Sequence, residues 1–128
     1  MALRIVSGVL RGRPLSTPTG HTTRPTMDRT RAAVFDLVTA RIDLDEALVL
    51  DLFAGSGALG FEALSRGAAA VTFVETSAAA LRAIQQNAAR LDVEEACEIV
   101  RKDALRVLAA PFGPPYRLAL ADPPYDLP

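Results

Sequence analysis

Residues 47–67 read ALVLDLFAGSGALGFEALSRG, and the reading of this stretch decides the fold. ALVLDLF is an apolar run broken only by Asp51, the pattern of a strand covered on both faces. GSG then turns the chain, ALGFEALS continues it as a short helix, and Gly67 closes that helix. The same unit recurs downstream. AAVTFVE (69–75) predicts a second strand, followed by a helix over 78–91 with Ser77 as its cap. ACEIVRKD (96–103) predicts a third strand, ALRVLAA (104–110) a short helix, PFGPPY (111–116) a loop, and RLALAD (117–122) a fourth strand. Strands that alternate with helices over short links need crossover connections, so a parallel sheet of the α/β class is expected.

Upstream, LRIVSG (3–8) and GRPLSTP (12–18) flank the turn-prone GVLRG and predict a β-hairpin. TPTGHTTRPT (17–26) reads as a loop. Thr26 is expected to cap an amphipathic helix over 27–41, with Val34, Phe35, Leu37, Val38 and Ile42 at helical spacing. Arg29 and Arg31 fall near its first turn, where the helix dipole disfavours cations, a placement that suits a bound anion.

The chain has 128 residues, half of them hydrophobic and 23% charged, which fits one globular domain with a real core. No apolar run is long enough to span a bilayer. Arg4, Arg11 and Arg13 interrupt any signal-like N-terminal segment, and Cys97 is the only cysteine, so a cytoplasmic location is expected. His21 has no second ligand near it, so no metal site is expected. Ser56 and Ser65 lack a histidine to form a triad, which leaves hydrolase chemistry unsupported. Phe112 and Tyr116 are expected to anchor their loop, and Cys97 to pack as a small hydrophobe.

Charge is uneven along the chain. Residues 1–31 hold six arginines against Asp28, a net +5, whereas the remainder holds eight basic and fourteen acidic groups, a net −6. A basic arm over 1–26 on an acidic domain over 27–128 is the electrostatic form of a phosphate-seeking N-terminus.

An open parallel sheet binds ligands beyond the carboxyl ends of its strands. Those ends carry Asp51, Glu75, Asp103 and Asp122, one acid each. Gly55, Gly57 and Gly60 satisfy G-x-G-x-x-G, and Glu75, 20 residues past Gly55, suits a ribose hydroxyl. An NAD-type dinucleotide is one ligand this admits. Asp51 argues against it, because a carboxylate at the mouth of the loop repels a pyrophosphate. S-adenosylmethionine has a ribose, an adenine and an ammonium but no phosphate, and fits Asp51, Glu75 and Asp103 better. Asp122-Pro123-Pro124-Tyr125 then acquires a role. The Asp122 carboxylate and the Pro123 carbonyl can accept both N–H groups of an exocyclic base amine, localising the nitrogen lone pair for methyl transfer. The prolines stiffen the turn, and Tyr125 offers a flat face to an unstacked base.

DLFAGSGALGFEALSRGA and DPPY resemble the motifs of class I amino-methyltransferases, whose sheet is Rossmann-like. RIVSGVLRGRPLSTPTGHTTRPTMDRTRAAVFD resembles the N-terminus of the bacterial small-subunit ribosomal RNA guanine-N2 methyltransferases, the RsmD family. The resemblance runs from Arg4 to Tyr125, with Asp36 departing from the family's usual asparagine. It implies methylation of a guanine N2 in 16S ribosomal RNA, within the small ribosomal subunit or its assembly intermediate. It also implies no membrane or metal partner and a monomer at full length. By motif, Asp51, Gly55, Gly57, Glu75 and Asp103, with their loop neighbours Phe53, Ala54, Thr76 and Ala104, would hold the cofactor. Asp122, Pro123, Pro124 and Tyr125 would hold the guanine amine, and Arg4, Arg11, Arg13, Arg24, Arg29 and Arg31 would meet RNA phosphates. Family members continue past the tetrapeptide with the sheet's last strands. Their absence here would leave RLALAD as an apolar edge and the chain a fragment. A dinucleotide-dependent oxidoreductase, which gives residues 122–125 no role, and a non-catalytic RNA-binding fragment are the other readings.

Overall fold

The computed structural model describes residues 3–18 and 25–123. Strands β1 (Leu3–Arg4) and β2 (Pro14–Leu15) pair antiparallel, with Leu3 opposite Leu15, and form the expected hairpin. Helix α1 (Pro25–Arg41) leads to β3 (Leu48–Leu52), α2 (Ala58–Ser65), β4 (Ala70–Glu75) and α3 (Ala78–Arg90). A 3-10 turn (Glu94–Ala96), β5 (Cys97–Arg101), α4 (Ala104–Leu108) and β6 (Leu118–Ala121) follow. The four later strands form one parallel sheet in the order β5-β4-β3-β6. The order turns back between β3 and β6, so the crevice for a ligand lies at their carboxyl ends.

Burial explains the strand sequences. Val49, Leu50 and Leu52 of β3 and Val71, Phe73 and Val74 of β4 are buried, as central strands covered on both faces must be. On one face Phe35, Phe61, Phe73 and Ile84 form the main core, with the Phe61 and Phe73 rings 4.9 Å apart. On the other, Leu50, Leu52, Val74, Ala104 and Val107 make a smaller cluster closed by Phe112 and Tyr116. The Tyr116 hydroxyl reaches Thr72 Oγ1 at 3.0 Å, so both aromatics anchor their loop as expected. Ser77 caps α3 by accepting the Ala80 N–H, and Cys97 opens β5 half-buried, its thiol pushed up to about 12 by burial.

Two expectations for the N-terminal third need correcting. Thr26 lies inside α1 and does not cap it, because the helix opens one residue earlier at Pro25, whose fixed φ suits a first helical position. Of the five apolar residues at helical spacing, Phe35 is buried and Val38 and Ile42 pack against the core. Val34 and Leu37 face solvent, Leu37 with 60% exposure. The basic hairpin packs on the rest of the chain, for Leu3, Ile5 and Leu15 belong to the same core cluster as Phe35 and Phe61.

Candidate functional site

The glycine loop is built by close approach. Gly57 has φ 84°, and a Cβ there would lie 2.6 Å from the Phe61 ring; one on Gly60 would lie 2.3 Å from Phe73. Gly55, with φ 59°, faces open space instead. Phe53 enters the left-handed region at φ 54° without being a glycine, a local strain of the kind concentrated at functional sites. The loop thus packs on the core through Gly57 and Gly60 and opens outward at Gly55.

Asp51 sits beneath it. The residue is 1% exposed and belongs to β3 itself, one residue inside the strand end. Its Oδ2 accepts the Gly60 N–H at 3.0 Å, while Oδ1 is buried with no hydrogen-bond partner among the described residues. Burial raises its carboxyl well above the ordinary value; the Gly60 N–H offsets part of this, and the charges of Glu75 and Asp122 add to the rise. The register puts the three together, since Glu75 ends β4 and Asp122 follows β6 on either side of Asp51 at one end of the sheet. A buried, unpaired carboxylate oxygen among carboxylates suits a cation and opposes a phosphate.

Glu75 ties the loop to the next strand. Its Oε1 accepts the Gly55 N–H at 2.8 Å, and its Oε2 accepts those of Thr76 and Ser77, both at 2.9 Å. Oε1 keeps a free lone pair for a hydroxyl. Beyond Thr76 an open cleft of about 810 Å³ is lined by Thr76, Lys102, Asp103, Arg106, Val107 and Phe112, among others. Asp103 caps α4 through the Leu105 N–H at 3.1 Å, and Lys102 Nζ lies 5.4 Å from the Phe112 ring centre. The Ala104 side chain is buried in the smaller core cluster, and Phe53 packs against that cluster half-buried. Of the expected cofactor residues, Asp51 lies buried beneath the loop and Ala104 belongs to the core, while Gly55, Glu75, Thr76 and Asp103 follow one another from the loop to the cleft. Lys102, Arg106 and Phe112 join them there, and no sequence motif marked those three.

The chain leaves the sheet beside this path. Ala121 pairs with Leu52, so Asp122 and Pro123 emerge next to Phe53, and both are exposed. Pro124 and Tyr125 lie outside the described residues, as do His21 and Arg24.

Of the six arginines expected to meet RNA, the five described separate into three kinds. Arg11 and Arg29 are exposed. Arg4 and Arg13 are exposed but donate to the carbonyls of Gly12 and Arg90, each at 2.8 Å. Arg31 is 5% exposed and does not face a phosphate; this corrects the expectation from its position near the helix start. Its Nε donates to Glu62 Oε1 at 3.2 Å, and its Nη2 to Asp28 Oδ1 at 2.9 Å and to the Arg4 carbonyl. The anion that balances the helix start is internal.

Glu62 is the larger surprise. Fully buried on α2, it accepts the Val6 and Ser7 N–H groups at 2.9 and 3.0 Å and ion-pairs with Arg31 and Arg66. Ser65 adds to this latch, its Oγ accepting the Leu10 N–H at 2.9 Å and donating to the Ser7 carbonyl. An acid in the middle of the apolar GFEALS was the available signal, since a charge on a buried helix face demands partners. Among the described residues no group of three or more His, Cys, Asp or Glu could hold a metal, and no helix is long and apolar enough to cross a membrane.

Comparison with known proteins places this arrangement. The family model described as conserved hypothetical protein 95 matches residues 3–127. Ribosomal RNA small subunit methyltransferase D of Escherichia coli K12 is 41% identical over 123 residues, covering 96% of this chain and 60% of the relative. The putative rRNA methyltransferase YlbH of Bacillus subtilis is 38% identical over 125 residues, covering 96% of this chain and 67% of the relative. Among solved structures, the putative methyltransferase yhhF from Escherichia coli superposes with a TM-score of 0.83 at 38% identity, over 98% of this chain and 67% of that one. The chain thus spans 60–67% of the length of these relatives. Its parallel sheet with flanking helices is that of a Rossmann-like methyltransferase fold, and the chain belongs to the conserved hypothetical protein 95 family, the RsmD family.

Proposed function

We propose that this chain carries the cofactor site and the amine-binding motif of an S-adenosylmethionine-dependent methyltransferase. Its substrate is the exocyclic N2 amine of a guanine in 16S ribosomal RNA, met in the small subunit or its assembly intermediate in the cytoplasm. The observation that carries the reading is Asp51, a buried carboxylate with one oxygen unpaired at the mouth of an open glycine loop. The relatives' names supply the ribosomal RNA. When bound, S-adenosylmethionine supplies the methyl group. Asp51 holds the ammonium, the Glu75 carboxylate accepts from ribose hydroxyls, and the cleft between Thr76, Asp103 and Phe112 takes the base. Asp122 and the Pro123 carbonyl accept the two N–H groups of the guanine amine and aim its lone pair, with Pro124 and Tyr125 completing the seat. Arg11 and Arg29, both exposed, meet RNA phosphates, and Arg4, Arg13 and Arg24 extend that surface.

Calorimetric titration with S-adenosylhomocysteine, with NAD as control, tests the site. Saturable binding of the first alone is expected. Binding of NAD alone would establish the dinucleotide reading, and RNA binding without either ligand would leave a non-catalytic RNA-binding fragment. Asp122→Ala should abolish methyl transfer while sparing S-adenosylhomocysteine binding; an active variant refutes its role.

A further inference from the structure

The glycine loop and the basic hairpin are far apart in sequence, yet one side chain touches both. Asn87 stands on the buried stripe of α3 among Ala80, Ala83, Ile84 and Ala88, itself 0% exposed. Its Oδ1 accepts the Ser16 N–H at 2.6 Å, and its Nδ2 donates to the Ser16 and Ser56 carbonyls, both at 3.0 Å. Ser16 is the first residue after β2; Ser56 lies between Gly55 and Gly57.

An apolar side chain would fill this stripe equally well, so packing does not call for asparagine. The amide matches Ser16 as one peptide group matches another, through one donor and one acceptor, and spends its second N–H on the loop. Each residue of the turn then has its own anchor. Gly55 is held by Glu75, Gly57 by its bond to the Ala54 carbonyl and by the Phe61 ring, and Ser56 by Asn87. Without Asn87 no side chain among the described residues anchors the middle of the turn, and the end of β2 loses its seat on α3.

We infer that Asn87 is a positioning residue that fixes the cofactor loop at Ser56 and the RNA-facing hairpin at Ser16 together. The inference rests on the glycine loop being a cofactor site. Asn87→Ala should bind S-adenosylhomocysteine roughly five- to tenfold more weakly, the loss expected for one buried hydrogen bond. In 1H–15N spectra the Ser16 and Gly57 amide signals should shift together. Ile84→Val, a small cavity on the same buried stripe, should lower Tm while moving neither signal nor affinity. Asn87→Ser, whose hydroxyl can bond within its own helix, removes the bridge with a smaller cavity if the alanine variant does not fold. Unchanged affinity in a folded variant, or amide signals that match the Ile84→Val pattern, overturns the inference. If the unaltered chain binds no S-adenosylhomocysteine, the cofactor reading fails instead, and the paired amide shifts still decide whether Asn87 bridges loop and hairpin.

Discussion

At the scale of single residues, Asp51 and Glu62 are two buried carboxylates with opposite provisions. Glu62 accepts four hydrogen bonds, two of them from arginines; Asp51 has one backbone N–H and an oxygen with no partner among the described residues. The first is structural and the second is poised. Glu62→Gln should therefore destabilise the fold by about 2 kcal/mol in denaturant unfolding, because Arg31 and Arg66 lose their buried counterion and keep only Asp28 and the exposed Asp36. A loss below about 1 kcal/mol would show that the latch is incidental. Asp51 predicts a proton effect. Its raised folded pKa means the ligand-free fold holds that proton more tightly than the unfolded chain does. The contribution to stability is present at low pH and is lost as pH rises from the ordinary 3.8 through the raised value. An ammonium against Oδ1 reverses the preference and expels the proton. In mildly acidic buffers of differing ionisation enthalpy, S-adenosylhomocysteine binding should release protons, and Asp51→Asn should abolish the release and weaken binding about tenfold or more. Equal proton counts for both proteins would remove Asp51 from the ligand's ammonium.

At the scale of elements, the hairpin and α1 carry the basic charge but use it unevenly. Arg11→Gln with Arg29→Gln should flatten the salt dependence of binding to a 16S RNA transcript by about 1.5 in log–log slope, some 0.7–0.9 per lost phosphate contact. Arg31→Ala should lower Tm instead, since its charge is consumed by Asp28 and Glu62. A slope unchanged by the double substitution would return Arg11 and Arg29 to ordinary solvated surface. The contrast shows what the sequence could and could not disclose. β3 to β6 were legible because apolar runs ending in acids, with glycine and serine punctuation, are local patterns. That each strand end carries an acid followed from them, but not the order of the strands, which is set by pairing. Arg31 was misread because its partner Glu62 lies 31 residues away, and a count of charges does not tell inside from outside. Val34 and Leu37 failed for the same reason: helical spacing offers α1 more than one apolar stripe, and only the sheet decides which is covered. Asn87 went unread, because a polar residue on an apolar stripe shows its purpose only through partners 31 and 71 residues away.

At the scale of the molecule, the sheet has unequal edges. One edge is β5, a strand of mixed charge whose Glu98 and Arg101 are exposed. β6 is LALA, pairs only with β3 among the described residues, and exposes Ala119 and Ala121. A parallel strand bonds its neighbour through alternate residues, so the remaining N–H and C=O groups of β6 point away from β3. With no lysine, bulge or proline inside the strand, nothing in it blocks the addition of another strand. The 128-residue chain should therefore self-associate with rising concentration in sedimentation velocity. Ala119→Lys should hold it monomeric, because a charge on the added strand's path must be desolvated when the edges meet. The lysine should leave S-adenosylhomocysteine binding intact, since position 119 pairs with Leu50, one residue before Asp51 and short of the glycine loop. A chain that stays monomeric at all concentrations without the lysine would mean that this edge does not template a second copy, and would overturn the prediction.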